Sequence, residues 1–335
     1  MIVVMAKDST ADNLRQVEQR IAAHGLRTQV NRGVERIVVG VVGAIPPDLK
    51  DEMELQPGVA EVIRITKPYK LASIEFHPER SVVMVGDVMV GGPEPVVMAG
   101  PCSVEDEEQM VSTARAVKAA GAGILRGGAY KPRTSPYSFR GMGLDGLKLL
   151  KLAQQETGMP IITEVMTPGD VDTVAQYSDV LQIGARNMQN YNLLDAVGEI
   201  DKPVMVKRGL SASYEEWLLA AEYVMAGGNT KVMLCERGIR AFEHYTRFTM
   251  DVAAIPVIKR LSHLPIIADP SHSTGKWHLV TPVALAAIAA GAHGLLIEVH
   301  PNPDIAKCDG PQSLTFENFS KLMDQVRAVS AALAQ

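Results

Sequence analysis

The sequence predicts an α/β protein in which a (β/α)8 TIM barrel follows a small N-terminal ferredoxin-like α+β domain. The chain has 335 residues, more than the ~250 that a single α/β barrel uses. From Val96 onward, short β-rich runs alternate with helical patterns eight times, which is typical of parallel βα units. The residues before position 67 instead follow the order βαββαβ.

Residues 1–66 are predicted to form the small domain. Leu14, Val17 and Ile21 recur at helical spacing, and Gly25 follows them as a residue that ends a helix. The full pattern of strands and helices is Ile2–Met5, the helix Ala11–Ala23, Thr28–Asn31, Arg36–Val42, the helix Leu49–Leu55 and Ala60–Ile65. Because many functions occur on this fold, the pattern alone leaves the role of the domain open.

Residues 67–90 are predicted to connect the two domains. Two prolines and mixed polarity indicate a linker over Lys67–Glu79, and Ser81–Val90 has the pattern of a hairpin that turns at Gly86-Asp87. Residues 91–335 then form the barrel. Its predicted strands are Val96–Ala99, Ile124–Arg126, Ile161–Glu164, Val180–Ile183, Val204–Lys207, Val232–Cys235, Ile266–Ala268 and Gly294–Glu298.

The carboxyl ends of these strands are polar. Barrel active sites lie at this end, where the βα loops converge. The side chains found there are Cys102, Arg126 with Lys131 and Arg133, Glu164, Arg186, Lys207, Glu236 with Arg237, Asp269 with His272, and Glu298, and a loop after the last strand adds Asp309. The sequence therefore predicts that the chemistry takes place at this mouth.

Composition excludes several classes of partner. The formal net charge is -5, so no global positive field attracts nucleic acid or an acidic membrane surface. The start of the chain lacks a signal-peptide pattern, and the later apolar runs are shorter than the ~18 residues of a membrane span. We therefore expect a cytoplasmic protein, in which Cys102, Cys235 and Cys308 are thiols.

Five basic side chains follow five different strands and would face one cavity: Arg126, Lys131, Arg186, Lys207 and Arg237. Like charges crowded in a partly buried mouth repel unless anions compensate them. One interpretation is that each pairs with Glu164, Glu236 or a neighbouring acid as a structural salt bridge. The other is that they bind phosphorylated and carboxylated substrates, which arginine recognises with paired hydrogen bonds, and the number of cations favours it.

Four further residues are candidate metal ligands. Cys102, His272, Glu298 and Asp309 offer one soft, one borderline and two hard donors, each just beyond a strand end or in the last loop. Such a mixed set suits one divalent ion such as Mn²⁺, Fe²⁺, Co²⁺ or Zn²⁺. Taken singly, each residue is more simply explained as packing or as a solvated polar group.

Two motifs carry a resemblance to a known family. Gly100–Glu105 and Leu125–Ser135 resemble the 3-deoxy-D-arabino-heptulosonate 7-phosphate (DAHP) synthases, in particular their type I beta class. Further matches cover the whole barrel and are found at Ile183–Asn187, Lys207–Gly209, Cys235–Gly238, Asp269–Ser273 and Glu298–Pro301. The resemblance implies a metal-dependent condensation of phosphoenolpyruvate with erythrose 4-phosphate, the first step of aromatic amino-acid biosynthesis through the shikimate pathway and chorismate.

The resemblance also implies a role for each site residue. Metal ligation falls to Cys102, His272, Glu298 and Asp309, of which Cys102 and His272 also count as catalytic. Arg186, Arg237 and the amide of Ala185 would bind the phosphate of phosphoenolpyruvate. Its carboxylate would face Arg126, Lys131 and Lys207. The second substrate is bordered by Lys131, Pro132, Arg133 and Thr134, with Arg133 and Thr134 on its phosphate, and Asp269 is counted among the substrate-binding residues.

Two catalytic roles follow from the implied reaction. Lys131 is the candidate acid for the developing alkoxide, and Glu164 is a candidate for positioning the water, with metal-bound water as the other contender. Cys308 departs from the family pattern, where a small polar residue is expected. A thiolate at Cys308 would compete for metal or oxidise against Cys102, although packing is the simpler interpretation.

Two other functions compete with this one. The sister enzyme, 3-deoxy-D-manno-octulosonate 8-phosphate synthase, uses arabinose 5-phosphate and carries Lys-Ala-Asn-Arg-Ser where this chain has Lys131–Ser135, which favours the four-carbon sugar. A catalytically inactive barrel that binds a metabolite is disfavoured because every ligand and basic group is retained. The family also implies a homo-oligomer, with a tetramer favoured. It further implies that residues 1–66 form a regulatory domain, through which an aromatic amino acid or a pathway intermediate controls the enzyme allosterically.

Overall fold

The structure is a computed structural model that describes residues 1–33, 36–63, 68–132, 135 and 137–334. The chain divides into two compact units. The first contains Met1–Arg80 together with Arg260–His263, and the second contains Ser81–Lys259 together with Leu264–Gln335. The predicted connecting segment 67–90 is therefore divided after Arg80, so that its first part belongs to the first unit and its second part to the second unit. Among the described residues, no helix combines the length and the apolar character that crossing a membrane requires.

The first unit contains a four-stranded antiparallel sheet with two helices. Its elements are β1 (Ile2–Met5), α1 (Ala11–Ala23), β2 (Arg27–Arg32), β3 (Ile37–Val42), α2 (Leu49–Glu54) and β4 (Val59–Ile63). The strand order β2-β3-β1-β4 places the first strand at the centre, between β3 and β4. The predicted ferredoxin-like βαββαβ order is confirmed. The end of the last predicted strand, at Ile65, lies outside the described residues.

The sequence explains why this sheet and helix form. The four residues of β1 are all buried, as expected for a central strand covered on both faces. The helix α1 begins with a capping box, in which the Thr10 side chain accepts from the Asn13 amide and the Asn13 side chain accepts from the Thr10 amide. Its apolar face, Leu14, Val17 and Ile21, packs into the same core as Val3 and Val39.

The second unit begins with a two-stranded hairpin, β5 (Val83–Val85) and β6 (Val88–Val90), and continues as a closed eight-stranded parallel barrel. The barrel strands are β7 (Val96–Gly100), β8 (Ile124–Arg126), β9 (Ile161–Val165), β10 (Val180–Ile183), β11 (Val204–Lys207), β12 (Val232–Glu236), β13 (Ile266–Ala268) and β14 (Gly294–Glu298). Each strand pairs with the next, and β14 pairs with β7 to close the ring. The predicted (β/α)8 barrel is confirmed.

Helices follow each barrel strand. They are α3 (Glu107–Ala120), α4 (Leu144–Thr157), α5 (Val171–Tyr177), α6 (Tyr191–Gly198), α7 (Tyr214–Ala226), α8 (Ala254–Leu261), α9 (Pro270–Thr274), α10 (Trp277–Ala289) and α11 (Phe316–Leu333). Only α9 is unusual, because it is a single short helix directly after β13 and precedes the longer α10. It contains His272, so the strand-to-helix turn itself delivers a site residue.

One apolar cluster closes the lower part of the barrel. It takes at least one residue from every strand, namely Met98, Ile124, Ile162, Val180, Met205, Met233 with Cys235, Ile267 and Leu296, and the hairpin adds Val83, Val85 and Val90. Successive side chains of a strand alternate between its two faces. The residue two positions after a cluster member therefore points to the same side, nearer the mouth. Those positions are largely polar, and they build the site.

Candidate active site

The site is built by side chains that follow the apolar cluster at a spacing of two residues. Arg126 follows Ile124, Glu164 follows Ile162 and Lys207 follows Met205. The same spacing leads from Ile267 to Asp269, from Leu296 to Glu298 and from Val180 to Gln182. Because the strands are parallel and in one ring, all of these groups reach the same end of the barrel.

A cavity of about 330 Å³ opens at this end of the barrel. It is lined by Arg126, Lys131, Pro132, Ser135, Ser138, Glu164, Gln182, Gly184, Ala185, Arg186, Lys207, Arg237, Arg247, His272 and Asp309. The five basic residues singled out in the sequence all line it, together with Glu164, Pro132 and Ala185. Arg133 and Thr134 lie outside the described residues, so the structure describes no contact of theirs.

The four candidate metal ligands lie together. One donor atom from each of Cys102, His272, Glu298 and Asp309 falls within 4.8 Å of all the others. His272 Nε2 is 3.3 Å from Glu298 Oε1 and 3.9 Å from Asp309 Oδ2, and Cys102 Sγ is 3.5 Å from Asp309 Oδ2. The donors come from four separate segments of the barrel, and this is why spacing along the chain could not reveal the group.

Asp269 orients the imidazole of His272. Its Oδ1 accepts from the His272 backbone amide at 2.9 Å, which caps α9, and its Oδ2 lies 2.7 Å from His272 Nδ1. A proton on Nδ1 therefore satisfies Asp269 and leaves the lone pair of Nε2 facing Glu298 and Asp309, as in carboxylate–histidine–metal arrangements. Asp269 is fully buried and also pairs with Lys207. It is not one of the residues that line the cavity.

The carboxyl groups of the candidate ligands Glu298 and Asp309 favour the ionised form. Burial raises the pKa of Glu298, but the nearby His272 and Arg126 outweigh burial and hold that pKa below its usual range. Burial likewise opposes ionisation of Asp309, whereas His272, Arg247 and Lys131 bring its pKa down to about 2. Two negative charges are thus available for a cation.

Unlike the two carboxyl groups, the thiol of Cys102 is held in its protonated form. Burial raises its pKa, and the hydrogen bond to Cys308 and the negative charge of Glu298 raise it further. Cys102 Sγ donates to Cys308 Sγ at 3.1 Å, and Lys131 Nζ lies 3.1 Å from Cys102 Sγ. Binding of a metal by Cys102 must therefore displace a proton from this thiol, which couples metal affinity to pH.

Asp309 is held in an uncommon backbone conformation. Its φ of 50° is the only positive value of a non-glycine residue within the described ranges. Aspartate tolerates the left-handed region better than most residues, although such conformations cost on the order of 1–3 kcal/mol and tend to occur at functional sites. The turn directs the carboxylate toward His272 and Cys102.

The cations at the mouth differ in their partners. Arg126 pairs with Glu298 at 3.2 Å, and Lys207 pairs with Asp269. Arg237 is buried, and its Nη1 has no hydrogen-bond partner within the part of the chain that the structure describes. Burial lowers the pKa of Arg237, and the nearby Arg247 and Arg186 also disfavour its charge. A buried guanidinium with an unused donor suits an anion that the protein itself does not supply.

One interpretation of the sequence was that Glu236 forms a salt bridge with one of the five cavity cations. The structure shows other partners for it. It is fully buried and accepts from Arg208 Nη1 at 2.8 Å and from the Gly238 amide at 2.7 Å. Arg208 also contacts Asp251 at 2.8 Å. This buried network lies beside the mouth and anchors the turn that carries Arg237, while Arg237 itself stays available to the cavity.

Several cavity residues were absent from the sequence-based set. Gln182 is the polar exception in the apolar strand β10, and its spacing of two from Val180 could have identified it. Ser135, Ser138 and Arg247 come from long loops without periodicity, and they carry no comparable signal. Gln312 contacts Glu298 and Arg247 just outside the cavity.

Comparison with known proteins supports one family. The model of the DAHP synthetase I family matches residues 66–334, and that of the DAHP synthase ferredoxin-like domain matches residues 1–67. The phospho-2-dehydro-3-deoxyheptonate aldolase of Thermotoga maritima is 48% identical over 333 residues, which is 99% of this chain and 98% of the relative. Its crystal structure superposes with a TM-score of 0.79 and covers 99% of this chain and 97% of that one.

A truncated structure and a second relative each cover about three quarters of this chain. A truncated form of the Thermotoga maritima 3-deoxy-D-arabino-heptulosonate 7-phosphate synthase has a TM-score of 0.75 at 48% identity and covers 79% of this chain and 97% of its own. The 2-dehydro-3-deoxyphosphooctonate aldolase of Magnetococcus marinus is 33% identical over 266 residues, or 74% of this chain and 92% of the relative.

The contact between Gly184 and Glu164 gives a testable prediction. A Cβ at Gly184 would overlap Glu164 Oε1, whereas the backbone φ of -65° admits any residue. Gly184→Ala should therefore displace the Glu164 carboxylate while the fold persists. We expect kcat to fall by roughly 100-fold, the loss typical of a misplaced catalytic group.

Steady-state kinetics and circular dichroism measure this effect. Gly169→Ala is the matched control, because the nearest atom to its added Cβ is Thr167 Oγ1 at 3.9 Å. A Gly184→Ala enzyme as active as the Gly169→Ala control would show that the position of Glu164 has no role in turnover.

Proposed function

This chain belongs to the DAHP synthetase I family, and we propose that its barrel condenses phosphoenolpyruvate with D-erythrose 4-phosphate and water to give DAHP and inorganic phosphate. This is the first step of the shikimate pathway. The observation that carries the proposal is the meeting, in one cavity, of a four-residue metal-ligand group with five basic side chains. The 48% identity to the Thermotoga maritima aldolase over nearly the whole chain supports the same reaction.

One divalent ion would be held by Cys102, His272, Glu298 and Asp309. The donor set fits a borderline ion such as Mn²⁺, Fe²⁺, Co²⁺ or Zn²⁺, since it combines one sulfur, one imidazole nitrogen and two ionised carboxylates. When bound, the ion supplies Lewis acidity for the aldehyde carbonyl of erythrose 4-phosphate.

Phosphoenolpyruvate would be bound by the cations. We assign the phosphate of phosphoenolpyruvate to Arg186, Arg237 and the amide of Ala185, which all line the cavity. The unused donor of buried Arg237 supports this assignment. Its carboxylate would face Arg126, Lys131 and Lys207. Asp269 would act on the substrate through Lys207, with which it pairs, and on the metal through His272.

The reaction forms one carbon–carbon bond and one carbon–oxygen bond to water, and it breaks the carbon–oxygen bond to phosphate. Carbon 3 of phosphoenolpyruvate attacks the aldehyde carbon, and the carbonyl oxygen takes up the electron pair and a proton. Lys131 is the proposed proton donor. Burial lowers its pKa, but the negative charge that Cys102 and Cys308 carry as thiolates outweighs burial and raises that pKa above the ordinary lysine value. The ammonium is therefore present at neutral pH, ready to neutralise the alkoxide as it develops.

Water completes the reaction at carbon 2. As carbon 3 forms its bond, carbon 2 becomes electron-deficient and gains a hydroxyl from water, which loses one proton. The hydroxyl of the resulting phosphohemiketal gives up its proton and forms the carbonyl of the product, while inorganic phosphate leaves with the electrons of the carbon–oxygen bond and takes up a proton. We propose that Glu164, whose carboxylate faces the cavity above Gly184, positions this water.

The second candidate function differs from the first in the aldose, which would be arabinose 5-phosphate instead of erythrose 4-phosphate. The octulosonate relatives of Magnetococcus marinus and Geotalea uraniireducens are 33% and 30% identical and each cover 74% of the chain, whereas the heptonate relative is 48% identical over 99% of it. We therefore propose the four-carbon sugar, bordered by Lys131 and Pro132. Arg133 and Thr134 would bind its phosphate, an assignment that rests on the sequence motif alone.

Steady-state assays of phosphate release test the choice of aldose. We expect a higher kcat/KM with erythrose 4-phosphate than with arabinose 5-phosphate. Arg133→Ala should raise the KM for erythrose 4-phosphate roughly tenfold or more and leave that for phosphoenolpyruvate nearly unchanged, because one charge-assisted phosphate contact is lost. Arg140→Ala, which removes an exposed arginine of the same loop, is the control. A preference for the five-carbon aldose would refute the assignment.

The N-terminal domain would regulate the barrel. Residues 1–66 contain none of the proposed catalytic residues, and they match a domain found in DAHP synthases. We propose that an aromatic amino acid or a pathway intermediate binds to this domain, and that the enzyme is a cytoplasmic homo-oligomer, with a tetramer favoured. A ligand can regulate only if its affinity differs between the active and inactive states.

Inhibition of the intact enzyme tests this regulatory role. We expect at least one of tyrosine, phenylalanine, prephenate and chorismate to lower turnover at subsaturating substrate, with an affinity that substrates change reciprocally. Activity that is unaffected by all four compounds would leave the domain without the proposed role.

A further inference from the structure

Two residues next to the candidate ligand carboxylates are joined to them by hydrogen bonds: Gln312 contacts both carboxylates, and Arg247 contacts Asp309. Gln312 is buried, and its Nε2 donates to Glu298 Oε2 at 2.6 Å and lies 3.5 Å from Asp309 Oδ2. Arg247 Nη1 donates to Gln312 Oε1 at 3.0 Å and to Asp309 Oδ2 at 3.3 Å. The two residues therefore form a short chain of hydrogen bonds that ends on both carboxylates.

The backbone around Arg247 is fixed to the helix that carries His272. The Arg247 amide donates to Thr274 O at 3.1 Å, and the Phe248 amide donates to Ser273 O at 2.7 Å. Both acceptors belong to the last turn of α9, which spans Pro270–Thr274. Arg247 is thereby positioned relative to His272 as well as to Asp309.

The hydrogen-bonding capacities of these groups determine how the Gln312 amide points. A primary amide accepts hydrogen bonds through its oxygen and donates them through its NH₂ group. The two groups have nearly the same size, so the amide fits the same space in either orientation. An ionised carboxylate only accepts and a guanidinium only donates. Arg247 on one side therefore requires Gln312 Oε1, and Glu298 on the other side requires the NH₂ group. Without Arg247, the flipped amide would present its oxygen to the oxygen of Glu298.

We propose that Arg247 and Gln312 are a positioning pair that holds Glu298 and Asp309 in the arrangement that binds the divalent ion. Neither residue is a ligand, and both act through the carboxylates. This inference rests on the proposed metal site. Residues that orient metal ligands through hydrogen bonds commonly contribute 10- to 100-fold to metal affinity.

The charge of Arg247 gives this proposal a distinctive sign. A cation beside a cation-binding site repels the metal, so its removal should tighten metal binding if charge were its only effect. If Arg247 acts by positioning, its removal should weaken metal binding. The two effects therefore predict opposite changes for the same substitution.

The experiment measures Co²⁺ binding to the intact protein by competition with a chromophoric chelator, without substrates. We expect Arg247→Met and Gln312→Met each to weaken binding about tenfold or more. Arg240→Met is the matched control. It removes the same charge from the same loop at an exposed position, and its affinity should stay within about twofold of the wild-type value. Arg247→Lys, which keeps a donor and the charge, should restore part of the affinity.

Two further measurements separate positioning from a loss of structure. The metal-free variants should keep the circular dichroism spectrum and the cooperative unfolding of the wild type, and the d–d absorption of bound Co²⁺ should change shape in Arg247→Met and Gln312→Met but not in Arg240→Met. Unchanged or tighter binding by Arg247→Met would overturn the proposal.

The same titration distinguishes this inference from the proposed function. If the wild-type protein binds no divalent ion, or if His272→Ala binds it equally well, then the metal site itself is refuted. If His272→Ala abolishes binding and both methionine variants bind as the wild type does, then only the positioning pair is refuted.

Discussion

The buried carboxylate of Asp269 connects the two halves of the site. Its Oδ1 accepts from the His272 backbone amide in α9, and its Oδ2 faces both His272 Nδ1 and Lys207 Nζ. A buried charge is tolerated only when its partners are well placed, and removal of one partner typically costs several kcal/mol. Burial opposes the ionisation of Asp269, yet His272 and Lys207 lower its pKa well below the ordinary value. Lys207, which we assign to the substrate, and His272, which we assign to the metal, are thereby held by one group.

Much of the fold and of the site follows from the sequence because both depend on periodicity. The eight strands end within one residue of their predicted ends, since buried parallel strands are continuous apolar runs bounded by polar residues. A spacing of two carries each apolar cluster residue to a mouth residue, as from Ile124 to Arg126 or from Leu296 to Glu298. Three of the four metal-ligand candidates follow strand ends and Asp309 lies in the loop after the last strand, and the structure brings all four together.

The remaining residues could not be predicted for physical reasons. Arg247 lies in a loop without periodicity, and its place is set by amide bonds to α9 that no local pattern encodes. Gln312 is one amide among many until its contact with Glu298 is known. Glu236 was a reasonable partner for the mouth cations, but it pairs with Arg208 instead. Arg208 is adjacent to Lys207 in sequence and points in a different direction. Long-range pairing of buried charges depends on three-dimensional packing, and neighbours in sequence point to opposite faces of a strand.

The central claim is that four segments of the barrel supply a single metal site with one thiolate ligand. Titration of the intact protein with Co²⁺ tests it most directly, because a bound thiolate gives a ligand-to-metal charge-transfer band in the near ultraviolet. We expect one Co²⁺ per chain, a band that grows with binding, and release of the Cys102 proton, whose thiol pKa is raised by burial. Cys102→Ser should lose the band and bind the ion more weakly. A wild-type complex without the band, or an unchanged band in Cys102→Ser, would contradict the account.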